Sequence, residues 1–313
     1  VLKNLFIACQ ANPFSMAYYA TVKRILIIIF ILNMLVAIVK GGYGIFTNSL
    51  SMTSDGLHSL FDSTSNIIGL VGISLASRPP DKEHPYGHSK FEIFASLGIA
   101  VLLFASCFQI VLSAINRFLN PTVPEITELS FGIMLATLLL NVGISSYEYV
   151  LGRRLKSSIL VADSMHTRSD IYASFGVILG FVAVKMGYPL ADPIIALFIT
   201  GLIILTGLEI MKDSSRILLD KALIEESVIR RLAESVDGVC NCHRVRTRGM
   251  PGEMFVDLHI GVDSSLSVEA AHKVAREVEE TIKKAIEGVE DVVVHIEPED
   301  HCEHTGQTRG IGE

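Results

Sequence analysis

Charge is scarce in this chain. Only 19% of its 313 residues are Asp, Glu, Lys or Arg, whereas half are hydrophobic; a soluble domain usually carries about a quarter charged residues. That poverty excludes an ordinary water-soluble globule and predicts a membrane protein. Disulfide chemistry is equally thin. The five cysteines, Cys9, Cys107, Cys240, Cys242 and Cys302, are odd in number and follow no framework spacing, so reduced, cytosol-facing thiols are expected. Cys240 and Cys242 form C-x-C rather than C-x-x-C, which argues against a zinc knuckle. The chain holds no H-E-x-x-H and no G-x-S-x-G, so neither a metalloprotease base nor a hydrolase nucleophile stands in a recognised frame, and an enzyme is not expected. No cleavable signal peptide is read either, because the first long apolar run starts at Ile25 with no small-residue cleavage site after it.

What charge there is falls unevenly. Residues 1–212 hold 14 basic against 12 acidic residues, while 213–313 hold 12 against 21, a net charge of −9. The acidic third reads as a separate domain that repels nucleic acid and favours cations as partners. Six of the ten histidines also lie there.

Apolar runs of about 20 residues, long enough to span a bilayer, are read at 25–46, 50–76, 91–118, 129–151, 160–184 and 193–211. Six transmembrane helices are therefore expected. Lys23 and Arg24, Arg78, Lys82 and Lys90, Arg153, Arg154 and Lys156, and Lys212 and Arg216 gather on one side; Lys40, Arg117 and Lys185 are left for the other. The positive-inside rule then puts both termini in the cytoplasm. Lys40 and Lys185 are expected to snorkel to the outer interface. Residues 1–24 read either as an interfacial lead-in helix or as a poorly ordered terminus.

Ionisable residues inside apolar runs need a reason, since Asp costs about 2.5–3.5 kcal/mol at the centre of a span. His58 and Asp62 stand four apart in SDGLHSLFD, and His166 and Asp170 stand four apart in ADSMHTRSD. Such spacing puts each pair on one helix face. A single pair reads equally well as a private hydrogen bond, but two matching pairs favour a four-ligand His₂Asp₂ site suited to tetrahedral Zn²⁺. Between the second and third spans, RPPDKEHPYGHSK places Asp81, His84 and His88 at spacings of three and four. That loop reads as a second, shallower metal site or as a solvated loop with surface histidines.

Beyond residue 213 the periodicity changes. A helix at 225–235, strands at 239–247 and 254–262, an amphipathic helix at 268–286 and a strand at 292–296 give an αββαβ order, a small open α+β sandwich of ferredoxin-like or metallochaperone-like type. Met250 to Glu253 forms the hairpin turn. His243, His259 and His295 fall on the three strands, His272 lies off the apolar stripe of the helix, and His259 and His295 take the face opposite the core with Glu297. Four histidines in an acidic domain point to metal binding. The domains read as a lead-in segment 1–24, a membrane domain 25–212, a cytoplasmic domain 213–300 and a tail 301–313 whose HCEH could chelate.

With these residues in view, the chain from about 20 to 300 resembles the cation diffusion facilitator family of metal transporters. The motifs that carry the likeness are SDGLHSLFD, DKEHPYGHSK, ADSMHTRSD and LLDKAL with Asp220. The resemblance implies a transport site of His58, Asp62, His166 and Asp170 in its zinc-associated version, and a loop site at Asp81, His84 and His88. It also implies a cytoplasmic ligand set of His243, His259, His272, His295 and Glu297, a Lys90 to Asp220 charge contact, and a homodimer joined through the cytoplasmic domain. The lack of a long His-rich loop between the fourth and fifth spans makes it similar to prokaryotic members in a plasma membrane. Zn²⁺ efflux against protons is the expected activity; Cd²⁺, Fe²⁺, Co²⁺ or Mn²⁺ as cargo, and a membrane-anchored metal sensor, are the alternatives.

Overall fold

A helix in hydrocarbon keeps its backbone hydrogen bonds within the segment, so long apolar runs without internal proline fold as helices wherever they meet lipid. The computed structural model describes residues 13–46, 59–60, 63–119, 128–186, 188 and 191–300. Among them the first unit, Val1–Ser215, contains α1 (Pro13–Phe46), α2 (Thr64–Ala76), α3 (Phe91–Leu119), α4 (Glu128–Leu155), α5 (Ser158–Lys185) and most of α6 (Ala191–Leu218). Three of these helices, α1, α3 and α6, are long and apolar enough to cross a membrane by length and composition. The described part of α2 is apolar but short, and α4 and α5 carry Glu148, Asp163, Arg168 and Asp170 within their length.

The packing follows from that distribution. Leu26, Ile29, Ile73, Ile99, Leu103, Leu160 and Ile203 interlock in the centre, while Ile31, Ile38, Phe108, Phe198 and Leu205 are left outward. Alongside the apolar centre, Asn66, Glu92, Ser96, Ser145, Glu148, Asp163 and Ser164 are buried. Polar groups inside and apolar groups outside invert the arrangement of a soluble protein. Glycines let the helices approach closely, as small residues do in membrane bundles: a Cβ at Gly72 would lie 2.2 Å from the Ala95 Cβ on α3. Lys40 departs from its expectation, for it is buried and its Nζ donates to the Ser59 Oγ at 3.3 Å instead of reaching outward.

The second unit, Arg216–Glu313, contains α7 (Glu226–Glu234), β1 (Asn241–Met250), β2 (Glu253–Asp263), α8 (Val268–Ala285) and β3 (Val289–Glu299). The strands form one sheet in the order β1-β2-β3, with β1 antiparallel and β3 parallel to β2. Alternation on β2 sends Val256, Leu258, Ile260 and Val262 to one face. There they meet Ala271, Ala275, Val278 and Ile282 of α8 and Ile229 and Ala233 of α7. The Ser267 hydroxyl caps α8 by accepting from the Ala270 N–H at 3.2 Å. Pro251 and Gly252 make the β1–β2 turn, and Gly252 takes a φ of +99° that a side chain would resist. Cys107 and Cys242 are buried free thiols, but Cys240 is disulfide-bonded. The expectation that no cysteine is cross-linked fails there, since spacing along a chain does not report proximity in space.

Two consequences can be measured. Gly72→Ala is expected to force α2 and α3 apart and lower the thermal midpoint of the detergent-solubilised protein, at a cost of about 1–3 kcal/mol. Gly143→Ala, with nothing within 4 Å of its Cβ position, should leave the midpoint unchanged or slightly raised. In the second unit the Lys283 Nζ donates to Glu279 at 2.7 Å and to Asp291 on β3 at 3.3 Å. Burial opposes its charge, yet these two carboxylates outweigh burial and hold the ammonium above the usual lysine range. A raised folded value means the stabilisation is fully present below the unfolded value of about 10.4 and is lost as pH rises through the folded one. Lys283→Met should therefore destabilise by less than about 1 kcal/mol at neutral pH, and that difference should vanish in strongly alkaline unfolding curves.

Candidate metal centres

His166 and Asp170 lie one turn apart on α5, and both line a cavity of about 20 Å³ together with Asn33 and Val36 of α1, Asn141 of α4 and Thr167. A volume of that size suits a single water or ion. His166 is 3% exposed. His58 and Asp62 lie outside the described residues; Ser59 and Ser65, which flank them in sequence, line this same cavity. Arg168, two residues from both candidate ligands, has its guanidinium 4.2 Å from the ring centre of Tyr149 and an N–H on the Met165 Sδ at 4.0 Å. It thus turns to an aromatic face and a thioether.

The loop between α2 and α3 gathers its three candidates. Asp81 Oδ1 stands 3.4 Å from His84 Nδ1, and Oδ2 stands 3.3 Å from His88 Nε2. One ligand atom from each of the three lies within 4.8 Å of the others. Local chemistry builds this cluster: Asp81 Oδ1 accepts from the backbone N–H groups of Glu83 and His84 at 2.9 and 2.7 Å, an Asx turn that folds the chain back on itself. The His84 N–H, first of all, then the Glu83 N–H and the two imidazoles hold the Asp81 carboxyl below the ordinary aspartate range. Gly87 completes the turn at φ +87°, and buried His88 stacks on Phe91.

Register assembles the third group. His243 pairs with His259 across β1 and β2, and His259 pairs with His295 across β2 and β3, so three imidazoles stand in one row on the face away from α8. Their ring centres are 5.5 and 4.5 Å apart. Glu297, two residues beyond His295, reaches back across the row. Its Oε1 is 2.8 Å from His259 Nδ1 and its Oε2 is 3.1 Å from His243 Nε2. The His259 hydrogen bond leads the causes that hold the Glu297 carboxyl below the usual glutamate range, with His243 and Arg244 adding to it. His295 sits at the rim with Nε2 3.9 Å from Glu297, and His272 is exposed on α8, outside the group formed by His243, His259 and Glu297.

A bulge in β1 makes this row possible. Register shifts by one residue between His243 and Arg246, and Arg244 takes a φ of +51°. Strict alternation from buried Cys242 would drive Arg244 and Arg246 into the core. The extra residue instead leaves both arginines exposed and returns Thr247 to the buried face. Simple strand periodicity did not reveal the bulge, although a strand reading Cys-His-Arg-Val-Arg-Thr cannot alternate cleanly over its whole length.

Imidazole nitrogens with one or two carboxylates form a donor set for borderline divalent ions. A helical bundle that buries polar groups and turns apolar ones outward, followed by a sheet domain with a histidine row, defines an integral membrane protein carrying two groups of side chains able to hold a metal ion. The family models match in the same two parts: the cation efflux transmembrane domain over residues 26–219 and the cation efflux protein cytoplasmic domain over 223–299. The chain belongs to the cation diffusion facilitator family, whose members are transporters rather than enzymes. It is 30% identical over 278 residues to a transporter of Methanocaldococcus jannaschii, covering 88% of this chain and 98% of that one. It is 27% identical to the manganese efflux system protein MneP of Bacillus subtilis, covering 88% and 96%. To the cation-efflux pump FieF of Pectobacterium carotovorum it is 27% identical, covering 80% and 84%.

Proposed function

We propose that this protein exports a divalent metal ion, Zn²⁺ first, in exchange for protons, through a transport site of His58, Asp62, His166 and Asp170. The observation that carries the reading is the small cavity into which α5 brings His166 and Asp170 together. Zn²⁺ is bound by neutral imidazole and ionised carboxylate, so metal entry expels protons and proton entry expels metal. An empty site with two unpaired carboxylates in a low-dielectric cavity is costly, and protonation relieves it. The cycle needs alternating exposure, which relative rocking of helices supplies.

The rest of the proposal follows the family. Six spanning helices within 25–212 face both termini to the cytoplasm of a plasma membrane, and a cytoplasmic domain over 213–300 joins two copies. The loop set of Asp81, His84 and His88 and the sheet set of His243, His259, His295 and Glu297, with His272, bind metal to regulate transport. A second cargo, Mn²⁺, is favoured by the name of one relative, but His₂Asp₂ suits borderline ions better than a hard one. Cd²⁺, Fe²⁺ and Co²⁺ are further candidates.

The test is zinc flux driven by an imposed pH gradient in proteoliposomes. Asp170→Ala or Asp62→Ala is expected to abolish flux while the cytoplasmic groups still bind zinc. His58→Asp should keep flux but relax the choice of metal, because a hard oxygen replaces a nitrogen and adds a negative charge. Robust flux from Asp170→Ala would place the transport site elsewhere, and no flux from the wild type with metal still bound would favour a sensor.

A further inference from the structure

Away from the metal centres, α1 and α2 leave a groove of about 420 Å³ between them, lined by Phe30 of α1, by Ile67, Leu70, Val71 and Leu75 of α2, and by Arg78 just beyond α2. Spacing builds it. Ile67, Val71 and Leu75 form one four-residue row and Leu70, Ser74 and Arg78 the next, so the two rows share a helix face. Ser65, Asn66, Gly69, Gly72, Ile73 and Ala76 are buried on the other side. The Arg78 N–H donates to the Leu75 carbonyl at 3.1 Å, which carries the turn past the end of α2. From Ile67 to Arg78 the groove runs about 16 Å along the helix axis, close to the depth of one leaflet in a hydrocarbon core of about 30 Å.

Two cations stand at one end of this groove. The helices run antiparallel, since the Lys40 Nζ meets Ser59 ahead of α2 and the Asn33 amide meets Asn66 Oδ1. Lys23 precedes Asn33 and Arg78 follows Asn66 by similar distances along their helices, about 15 and 18 Å, which brings both to nearly the same height. Lys23 also shares a face of α1 with Phe30, two turns away. Both side chains are exposed, and neither makes a hydrogen bond or ion pair with a described group. No carboxylate is at hand for them: α1 and α2 contain no Asp or Glu. Glu92 on α3 already accepts from Tyr18 and Ser157, and Asp81 from the backbone of its own loop.

We propose that this groove binds one anionic phospholipid, its phosphate held by Arg78 with Lys23 beside it and an acyl chain laid along Phe30, Leu70 and Val71. The site requires only that α1 and α2 lie in the bilayer with Arg78 at its edge, the cytoplasmic edge in the orientation proposed above. It does not depend on which ion is carried. A guanidinium presents paired N–H donors that match two phosphate oxygens. An anionic headgroup matches the two unpaired protein cations, as basic pockets between spanning helices do. A zwitterionic headgroup brings a further cation, for which this end of the groove offers no carboxylate. The apolar rows meanwhile take a chain one leaflet long, which a free phosphate lacks.

The test is native mass spectrometry of the full-length protein released from detergent micelles, with phosphatidylglycerol or phosphatidylcholine of identical acyl chains added in turn. Each chain should retain one phosphatidylglycerol, about tenfold more tightly than phosphatidylcholine. Arg78→Gln is expected to erase that preference. Arg24→Gln, at a position about 120° round α1 from Phe30, should keep it. Ser74→Phe fills the groove and should weaken retention of both lipids; Arg78 is exposed, so its variant decides the matter even where Ser74→Phe does not fold. Equal retention of the two lipids by the wild type, an undiminished preference in Arg78→Gln, or unchanged retention by folded Ser74→Phe would overturn the proposal. So would disulfide cross-linking of Val71→Cys chains to one another above the wild-type level, which would make this face an interface between copies. Zinc flux is not the readout, so failure here leaves the transport reading as it stands.

Discussion

A polar group held in hydrocarbon must find its partners on neighbouring helices, and that requirement ties this bundle together. Glu92, fully buried in the first turn of α3, is where it is met most completely. Its carboxyl accepts from the Tyr18 hydroxyl of α1 at 2.9 and 3.0 Å and from the Ser157 hydroxyl at 2.7 Å. The backbone N–H groups of Ser158 and Ile159 reach it as well. Those amides belong to the first turn of α5, where a helix has no acceptors of its own and its dipole favours a negative group. One carboxylate therefore fixes the starts of α3 and α5 against α1. Since α5 carries His166 and Asp170, the height and rotation of these two side chains depend on a contact at the other end of their turn sequence.

The same requirement separates what the interior tolerates from what it uses. Half-buried Asn33 and fully buried Asn66 and Asp163 form a line of polar side chains crossing from α1 through α2 to α5. A line of this kind costs desolvation at every member, and apolar residues of equal size would often stabilise the bundle as well or better. Its retention beside a small polar cavity fits a site that must change protonation and cargo. The small residues at the crossings serve the opposite end: Gly72 against Ala95, and Gly176 against Ile199, bring backbones close enough to compensate in dispersion for what the polar line loses.

Much of this was legible in the sequence because two periodicities are strong. Intramembrane His and Asp four apart identify one helix face without any structure, and the αββαβ order with its core faces on β2 and α8 follows from alternation and from the helical stripe. Spacing also made the loop readable, since Asp81, His84 and His88 are close in sequence. What sequence could not supply depends on contacts between distant segments. Glu92 belongs to no motif, and its donors lie 74 and 65 residues away. Glu148 and Asp163 stand in no motif, and their burial follows only from the packing of α4 against α5. The β1 bulge was hidden because hydrophobicity marks which residues avoid water, while an inserted residue shows itself only in the pairing.

The sheet row and the intramembrane pocket use one donor chemistry under different physical conditions. On the sheet, His243, His259 and Glu297 are partly exposed, so water screens their charges and a bound cation can exchange with solvent directly. Their geometry is set by backbone register, which cannot shift by one residue without moving every side chain of β2 to the other face. A row of this kind holds its ligands at fixed spacing whether or not metal is present. In the bundle, by contrast, the proposed ligands come from helices whose mutual positions depend on buried polar contacts, which the low dielectric makes strong. Rigid register suits a site that reports metal concentration; helix positions that answer to charge suit one that must open to two sides in turn.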